Sequence, residues 1–315
     1  MKQENSENEH RHSPLAAWVI AVRPWAYSAS ILPVFLGTAT AWNQRDQIQW
    51  LWFAVTLAAV VSFHTAGNLI NDGYDFMRGL DTEKLPGSGA VVRGLLSPEQ
   101  ALRAAVFFIL FGVLCAAYLA AARGLFVLLL GIAGVFFAVA YTAPGVNLKC
   151  RGFGDLCIFF AFGPLPTIGS HWVQTGRFAW KSALVSVPAA LFTVAILHAN
   201  NWRDMENDAR KGCQTLAVLL GPKRAGYYYR SLVVLPYAIV AACGVSALTF
   251  SAVPGSYTWL FLPWLSFPAI IPLLRIRASG MIRGDTAVPA ALDARTATVH
   301  SLFGLLLVTA TILSG

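Results

Sequence analysis

Charge is scarce in this sequence. Only 12% of its 315 residues are Asp, Glu, Lys or Arg and 57% are hydrophobic, where a soluble domain carries about 25% charged residues. The mean hydropathy of +0.59 makes water the wrong solvent for most of the chain. No polar linker is long enough to hold a second fold apart, because apolar runs recur from Leu15 to the C-terminus. One membrane domain over residues 15–315 is expected, preceded by a polar, disordered tail over residues 1–14. That tail lacks the basic start and apolar core of a secretory signal. Cysteine is sparse too. Cys115, Cys150, Cys157, Cys213 and Cys243 form no CxxC pair and no zinc-ligand spacing, so structural thiols are expected. The net charge of +8 would suit nucleic acid, but no basic helix, finger or aromatic-basic platform accompanies it. No nucleic-acid partner is expected; the lipid bilayer is the partner that the composition requires.

What is abundant is apolar sequence in lengths that cross a membrane, for which a helix needs about 20 residues. Nine such stretches run approximately Ala26 to Trp42, Trp50 to Ile70, Ala101 to Ala121, Gly124 to Tyr141, Phe153 to Trp172, Ala179 to Ala199, Tyr227 to Thr249, Tyr257 to Leu274 and Ala297 to Leu313. The expected fold is an all-α bundle of about nine transmembrane helices. Lys and Arg accumulate on the cytoplasmic side of a membrane protein. On this map nineteen of the 23 Lys and Arg residues fall in the N-terminal segment, the even-numbered loops and the span ends beside them, leaving Arg45, Arg123, Arg177 and Lys181 opposite. The N-terminus is therefore expected in the cytoplasm.

The acidic residues are few and concentrated. His64, Asn68 and Asp72 lie four residues apart near the cytoplasmic end of the second span, with Asp75 beside them and Asp81 beyond; Asn200, Asp204 and Asp208 repeat that spacing after the sixth span. Positions four apart drift by only about 40° around a helix, so each set forms one polar stripe. Carboxylates near bilayer depth are costly unless paired, hydrated or bound to a cation. Pairing with loop bases such as Arg78 and Lys84 would account for any one Asp, but not readily for all four. Magnesium takes hard oxygen ligands and commonly bridges one or two carboxylates to phosphate oxygens. Two facing acidic stripes would hold a magnesium diphosphate, with Arg93, Lys149, Arg151 and Arg203 as candidates to neutralise the remaining phosphate charge. His64 and His198 read best as polar residues satisfied between helices. Tyr74, Tyr141, Phe160, Phe162 and Trp202 lie near the inferred site, in a chain with aromatics throughout. A transporter that couples ions through these acids is the alternative, but coupling residues usually sit near the membrane midplane.

Several segments together resemble the UbiA-type membrane prenyltransferases. Arg23-Pro-Trp-Ala-Tyr-Ser28 looks like that family's opening motif, and Gly67-Asn-Leu-Ile-Asn71-Asp72-Gly-Tyr-Asp75 through Asp81 looks like its first Asp-rich motif. Asn200-Asn201-Trp-Arg203-Asp204 through Asp208 looks like its second, and Tyr141-Thr142 through Gly154-Asp155 to Phe162-Gly163-Pro164 fits a third block. The five-residue gap from Asp75 to Asp81 is most similar to 1,4-dihydroxy-2-naphthoate polyprenyltransferases and to related animal enzymes, and Asp72 matches the bacterial form. The resemblance implies transfer of a polyprenyl group from polyprenyl diphosphate to an aromatic acceptor, with Mg2+ as cofactor, in a bacterial cytoplasmic membrane. It implies that Asn68, Asp72, Asp75, Asn201, Asp204 and Asp208 hold the metal diphosphate; Asn71, Tyr141, Arg93, Lys149, Arg151 and Arg203 are expected at the substrate from their positions, the segment before Arg93 departing from the family pattern. The four Asp residues would be the catalytic core. All of this requires Asp75 and Asp208 to share one end of one pocket.

Overall fold

In a computed structural model of the chain, residues 13–42, 47–81, 89–250, 254–276 and 288–314 are described. The expected tail up to residue 12 and the loop base Lys84 lie outside the described residues. Ser13 and Pro14, counted with the tail from sequence, instead start a helix. The Ser13 side chain accepts the Ala16 N–H at 3.2 Å, and Pro14 occupies the first helical position, where its missing N–H costs nothing.

The described residues form helices and no strand. In chain order the α-helices are α1 (Pro14–Val22), α2 (Ser28–Trp42), α3 (Trp50–Met77), α4 (Pro98–Arg123), α5 (Leu125–Ala140) and α6 (Gly154–Ala161). They continue as α7 (Pro164–Thr175), α8 (Trp180–Arg203), α9 (Met205–Arg210), α10 (Leu216–Phe250), α11 (Ile271–Leu274) and α12 (Leu292–Leu313). By length and composition six of these segments can cross a membrane, counting α6 and α7 together as Gly154–Thr175; a seventh forms if α1 and α2, bent by 46° between them, count as one span. Leu125–Ala140 and Thr258–Leu274 are apolar but shorter.

Several boundaries depart from the sequence expectation for identifiable reasons. α3 runs seven residues past the expected end at Ile70, because Asp72 and Asp75 find cationic partners while remaining helical. α4 begins at Pro98 behind a capping box in which Ser97 and Gln100 satisfy each other's backbone N–H groups, and Gly124 ends it at φ 94°. The expected eighth span is mostly a 3-10 run over Pro254–Ile270 that contains Pro263 and Pro268; proline cannot donate to an α-helical ladder. The free-thiol expectation is corrected at one pair: Cys150 and Cys213, 63 residues apart, form a disulfide, a proximity that sequence spacing alone does not encode.

Two faces of α5 show how helical period sorts lipid from interior. Leu125, Leu129, Ile132 and Phe136 are exposed, every third or fourth residue, whereas Val127, Leu130, Gly134 and Tyr141 turn inward to a cavity. Phe107, Leu110, Leu114 and Tyr118 make a similar outer stripe on α4. Between helices in lipid, packing and polar contacts replace the hydrophobic drive. The α2 and α7 contact is built this way. Thr38 Oγ1 lies 2.9 Å from Ser170 Oγ, and a Cβ added at Gly37 would stand 2.2 Å from the Thr167 carbonyl oxygen. A Gly37→Ala variant is expected to lose about 1–3 kcal/mol to overpacking, read as a lowered midpoint in thermal unfolding of the detergent-solubilised protein; an unchanged midpoint would show that α2 and α7 separate easily.

Candidate active site

One cavity of about 720 Å³ runs through the helical bundle. α3 lines it with Thr56, Ala59, Phe63, His64, Asn68 and Asn71, the spacing expected when one face of a 3.6-residue helix is used over its length. Polar residues occupy the late turns of that face and apolar ones the early turns. α7 contributes Leu165, Gly169 and Val173, with Phe162 just after α6, while α8 contributes Thr193, Leu197, Asn200 and Asn201. The chamber is thus polar where α3 and α8 end and apolar toward the opposite face.

At the polar end the four predicted carboxylates do not stand alike. Asp72 and Asp75 are buried, at 2% and 0% exposure, and each is covered by a cation. Arg23 pairs with Asp72, and Lys149 Nζ lies 2.6 Å from Asp75 Oδ2. Arg23 and Lys149, rather than these two carboxylates, line the chamber. Asp204 and Asp208 line it directly, as do Asp81 and Arg203. Arg203 grips Asp204 through two bonds of 2.9 Å and reaches Asp293 at 3.5 Å. Lys211 Nζ donates to the Leu80 carbonyl at 2.5 Å, so the loops after α3 and α8 meet.

The electrostatics show the acids acting on one another. Burial first, then the charges of Asp204, Asp81 and Asp75, push the Asp208 carboxyl up to about 7 against the opposing Lys149. Asp81 is also raised, chiefly by burial, with Lys149 pulling the other way. For Lys149, burial disfavours the ammonium, but Asp75, Tyr141 and Asp81 outweigh it and hold the proton firmly. Asp75 and Asp208 therefore belong to one acidic field.

The site also contains residues that sequence reasoning left aside. Arg23 was read only as part of an opening motif, and Asp81 and Asp293 carried no assigned role. Asp293 opens α12, and no spacing rule links it to the acidic loops. Arg93 and Arg151 do not line the chamber; Arg151 is exposed and donates to the Gly145 carbonyl at 2.7 Å. His64 faces the chamber with Nδ1 2.6 Å from Ser30 Oγ. His198 lies away from it, its Nε2 3.1 Å from the Ala225 carbonyl oxygen and its Nδ1 3.2 Å from Asp155 Oδ2. Tyr141 and Phe162 line the chamber, whereas Trp202 is packed in the core and Phe160 is exposed. The Cys150–Cys213 disulfide fastens the turn that carries Lys149 to the chain just past Asp208.

Among the described residues no three His, Cys, Asp or Glu side chains form a ready-made metal cluster. The donor set nevertheless fits magnesium. Asp81, Asp204 and Asp208 with Asn68, Asn71 and Asn201 offer hard oxygens around one space, and the buried Asp72 Oδ2 and Asp75 Oδ1 lack hydrogen-bond partners. A cation that keeps waters and shares phosphate oxygens needs no complete protein cage.

Residues 30–310 match the family described as "UbiA prenyltransferase family". The chain is 39% identical over 264 residues to the UbiA prenyltransferase domain-containing protein 1 of Xenopus tropicalis, covering 82% of this chain and 73% of that protein. The Homo sapiens protein of that name is 35% identical over 302 residues, covering 95% and 84% respectively. In three dimensions the chain resembles a UbiA homolog from Archaeoglobus fulgidus bound to GPP and Mg2+, at TM-score 0.63 and 18% identity over 94% of this chain and 99% of that one. A UbiA homolog from Aeropyrum pernix K1 superposes at TM-score 0.65 and 18% identity, over 89% and 97%.

The raised Asp208 carboxyl has a stability consequence with a definite sign. An unfolded Asp titrates near about 3.9, so the folded chain holds an extra proton between there and about 7. Stability falls as pH rises through that window. Asp208→Asn is expected to raise the unfolding midpoint in divalent-free buffer, with a larger gain at pH 8 than at pH 5. Equal gains at both pH values would mean that Asp208 does not carry the burden.

Proposed function

The chain belongs to the UbiA prenyltransferase family, and on that premise we propose that it transfers a polyprenyl group from polyprenyl diphosphate to an aromatic quinone precursor. It is an integral membrane prenyltransferase. The acceptor we favour is 1,4-dihydroxy-2-naphthoate, giving demethylmenaquinol, in a bacterial cytoplasmic membrane that the chain crosses about nine times with its acidic loops in the cytoplasm. The observation that carries this reading is the polarity of the chamber, acidic and basic where α3 and α8 end and hydrocarbon-like beyond Phe63.

The residues divide the work. Asp204, Asp208 and Asp81, with Asn68, Asn71 and Asn201, would hold Mg2+, and Asp72 and Asp75 would join them as Arg23 and Lys149 turn toward phosphate oxygens. Held there, Mg2+ would supply positive charge to offset that developing on the diphosphate as it leaves. Arg23, Lys149 and Arg203 stabilise the same charge from the protein side. Breaking the allylic carbon–oxygen bond gives a diphosphate anion and a prenyl cation, which the apolar walls protect from water. Tyr141 and Phe162, which line the chamber, are the aromatic rings near enough to stabilise it. The electron-rich acceptor ring forms the new carbon–carbon bond at the carbon bearing its carboxylate. Loss of that group as carbon dioxide returns the electron pair to the ring, so no separate proton acceptor is needed. α8 and α12 line the polar end of the same chamber with Asn200, Arg203, Asp293 and Ala294, where the acceptor would meet the reacting end of the prenyl chain.

Asp72→Ala and Asp204→Ala are each expected to lower kcat/KM by about 100-fold or more, measured as magnesium-dependent diphosphate release from the purified protein. Unimpaired release in both variants would remove the basis of the assignment. Mass spectrometry of products from dihydroxynaphthoate tests the acceptor: a prenylated product lacking the mass of carbon dioxide supports it, and turnover only with acceptors that have no carboxylate overturns it.

A further inference from the structure

His64 lies where the chamber changes character. It lines the wall between Asn68, one helical turn nearer the polar end, and Phe63, where the hydrocarbon lining begins. Four residues of helix rise about 6 Å, so the imidazole sits below the amides proposed for the metal diphosphate yet above the space left to the prenyl tail. A polar nitrogen at that depth serves neither.

The ring is held on three sides. Nδ1 is 2.6 Å from Ser30 Oγ on α2, and the Tyr27 and Phe162 rings meet the imidazole edge to face, with centroids 5.6 and 4.6 Å away. Tyr27 is itself anchored, its hydroxyl 2.7 Å from Thr65 Oγ1. Ser30 is fully buried and has a single hydroxyl proton to give. With that proton on the Tyr27 carbonyl at 3.3 Å, Ser30 Oγ accepts from Nδ1–H, and the neutral ring carries its lone pair on Nε2. Among the described residues none bonds to Nε2, which is not sealed within the protein either. It opens on the chamber that His64 lines.

We propose that His64 Nε2 receives the phenolic hydroxyl of the aromatic acceptor, the one beside the carbon that is prenylated, and that Ser30 positions the imidazole for it. The inference rests on the prenyltransferase reading above and adds the group that recognises the acceptor. As the ring carbon bonds to the prenyl carbon whose bond to diphosphate has broken, positive charge spreads from the ring to that hydroxyl oxygen. Its O–H becomes a stronger donor. A hydrogen bond that strengthens as the new bond forms speeds the step instead of only tightening binding. The proton stays on the oxygen, because loss of carbon dioxide returns an electron pair to the ring and discharges it. One hydrogen bond to a group gaining charge is worth about 10–100-fold in rate.

The test uses the purified full chain with magnesium, one polyprenyl diphosphate and two acceptors, 1,4-dihydroxy-2-naphthoate and its 1-methoxy ether, which keeps the electron release but has no proton to donate. The wild type is expected to favour the hydroxyl acceptor by at least about 100-fold in kcat/KM. His64→Phe keeps a ring against Tyr27 and Phe162 and should shrink that preference to about tenfold or less, with the KM for polyprenyl diphosphate within about twofold of the wild type. His64→Gln, whose amide oxygen can still accept, should fall between the two. Ser30→Ala leaves Nε2 in place but frees the ring, and should cut the preference at least about threefold. If His64→Phe does not elute as the wild type does, His64→Gln and Ser30→Ala decide by the same ratio. A wild type indifferent to the ether overturns the proposal, as does an unaltered preference in variants that elute normally. An equal loss with both acceptors overturns it too, since that is what a mere fastener between α2 and α3 would give. Absence of diphosphate release by the wild type with either acceptor would instead sink the prenyltransferase reading.

Discussion

Four carboxylates gathered at the end of a hydrocarbon-lined chamber are the constraint around which the rest of this protein is arranged. Negative charge so close to bilayer depth must be matched or it expels itself toward water. The chain meets this in two ways. Asp72 and Asp75 are sealed behind Arg23 and Lys149, while Asp204 leans on Arg203, itself in reach of Asp293. Gly89 shows how tightly the first group is enclosed, since a Cβ there would stand 2.0 Å from an Asp72 carboxylate oxygen. Charge neutrality has become a packing problem, solved by residues from separate helices and turns.

α3 joins that constraint to the rest of the chamber. Its cavity-facing stripe begins with small and apolar residues and ends with amides, so a single rigid rod spans the chamber from its apolar end to its polar one. A 28-residue helix is longer than a bilayer crossing requires, and the surplus carries Asp72 and Asp75 beyond the hydrocarbon without interrupting the backbone hydrogen bonds. A loop in the same place would leave the carboxylates on a mobile support.

Much of this was legible in the residues. Spacing of four placed His64 and Asn68 on one face, although the chamber is lined beyond them by Asn71 and not by Asp72; hydropathy placed most of the helices, and the bias of Lys and Arg put both acidic segments on one side. The remainder depended on contacts between distant parts of the chain. Nothing in the order of residues ties Arg23 to Asp72 across 49 positions, pairs Cys150 with Cys213, or brings Asp293 to Arg203. Proline could be read as an interruption near residue 263, but not as a long 3-10 run packed between α10 and α12. The bases Arg93 and Arg151 were chosen for charge and position alone, which cannot distinguish a side chain aimed into a chamber from one turned along the surface.

The pairing of Arg23 with Asp72 and of Lys149 with Asp75 means that the protein supplies counter-ions of its own. An acidic pocket without them would depend on metal for its integrity, and chelation would split it by mutual repulsion. Here the two acids are held together without an added cation, and under the proposed function an incoming metal diphosphate would exchange one set of charge partners for another. Occupancy would then be a matter of ionic substitution rather than assembly.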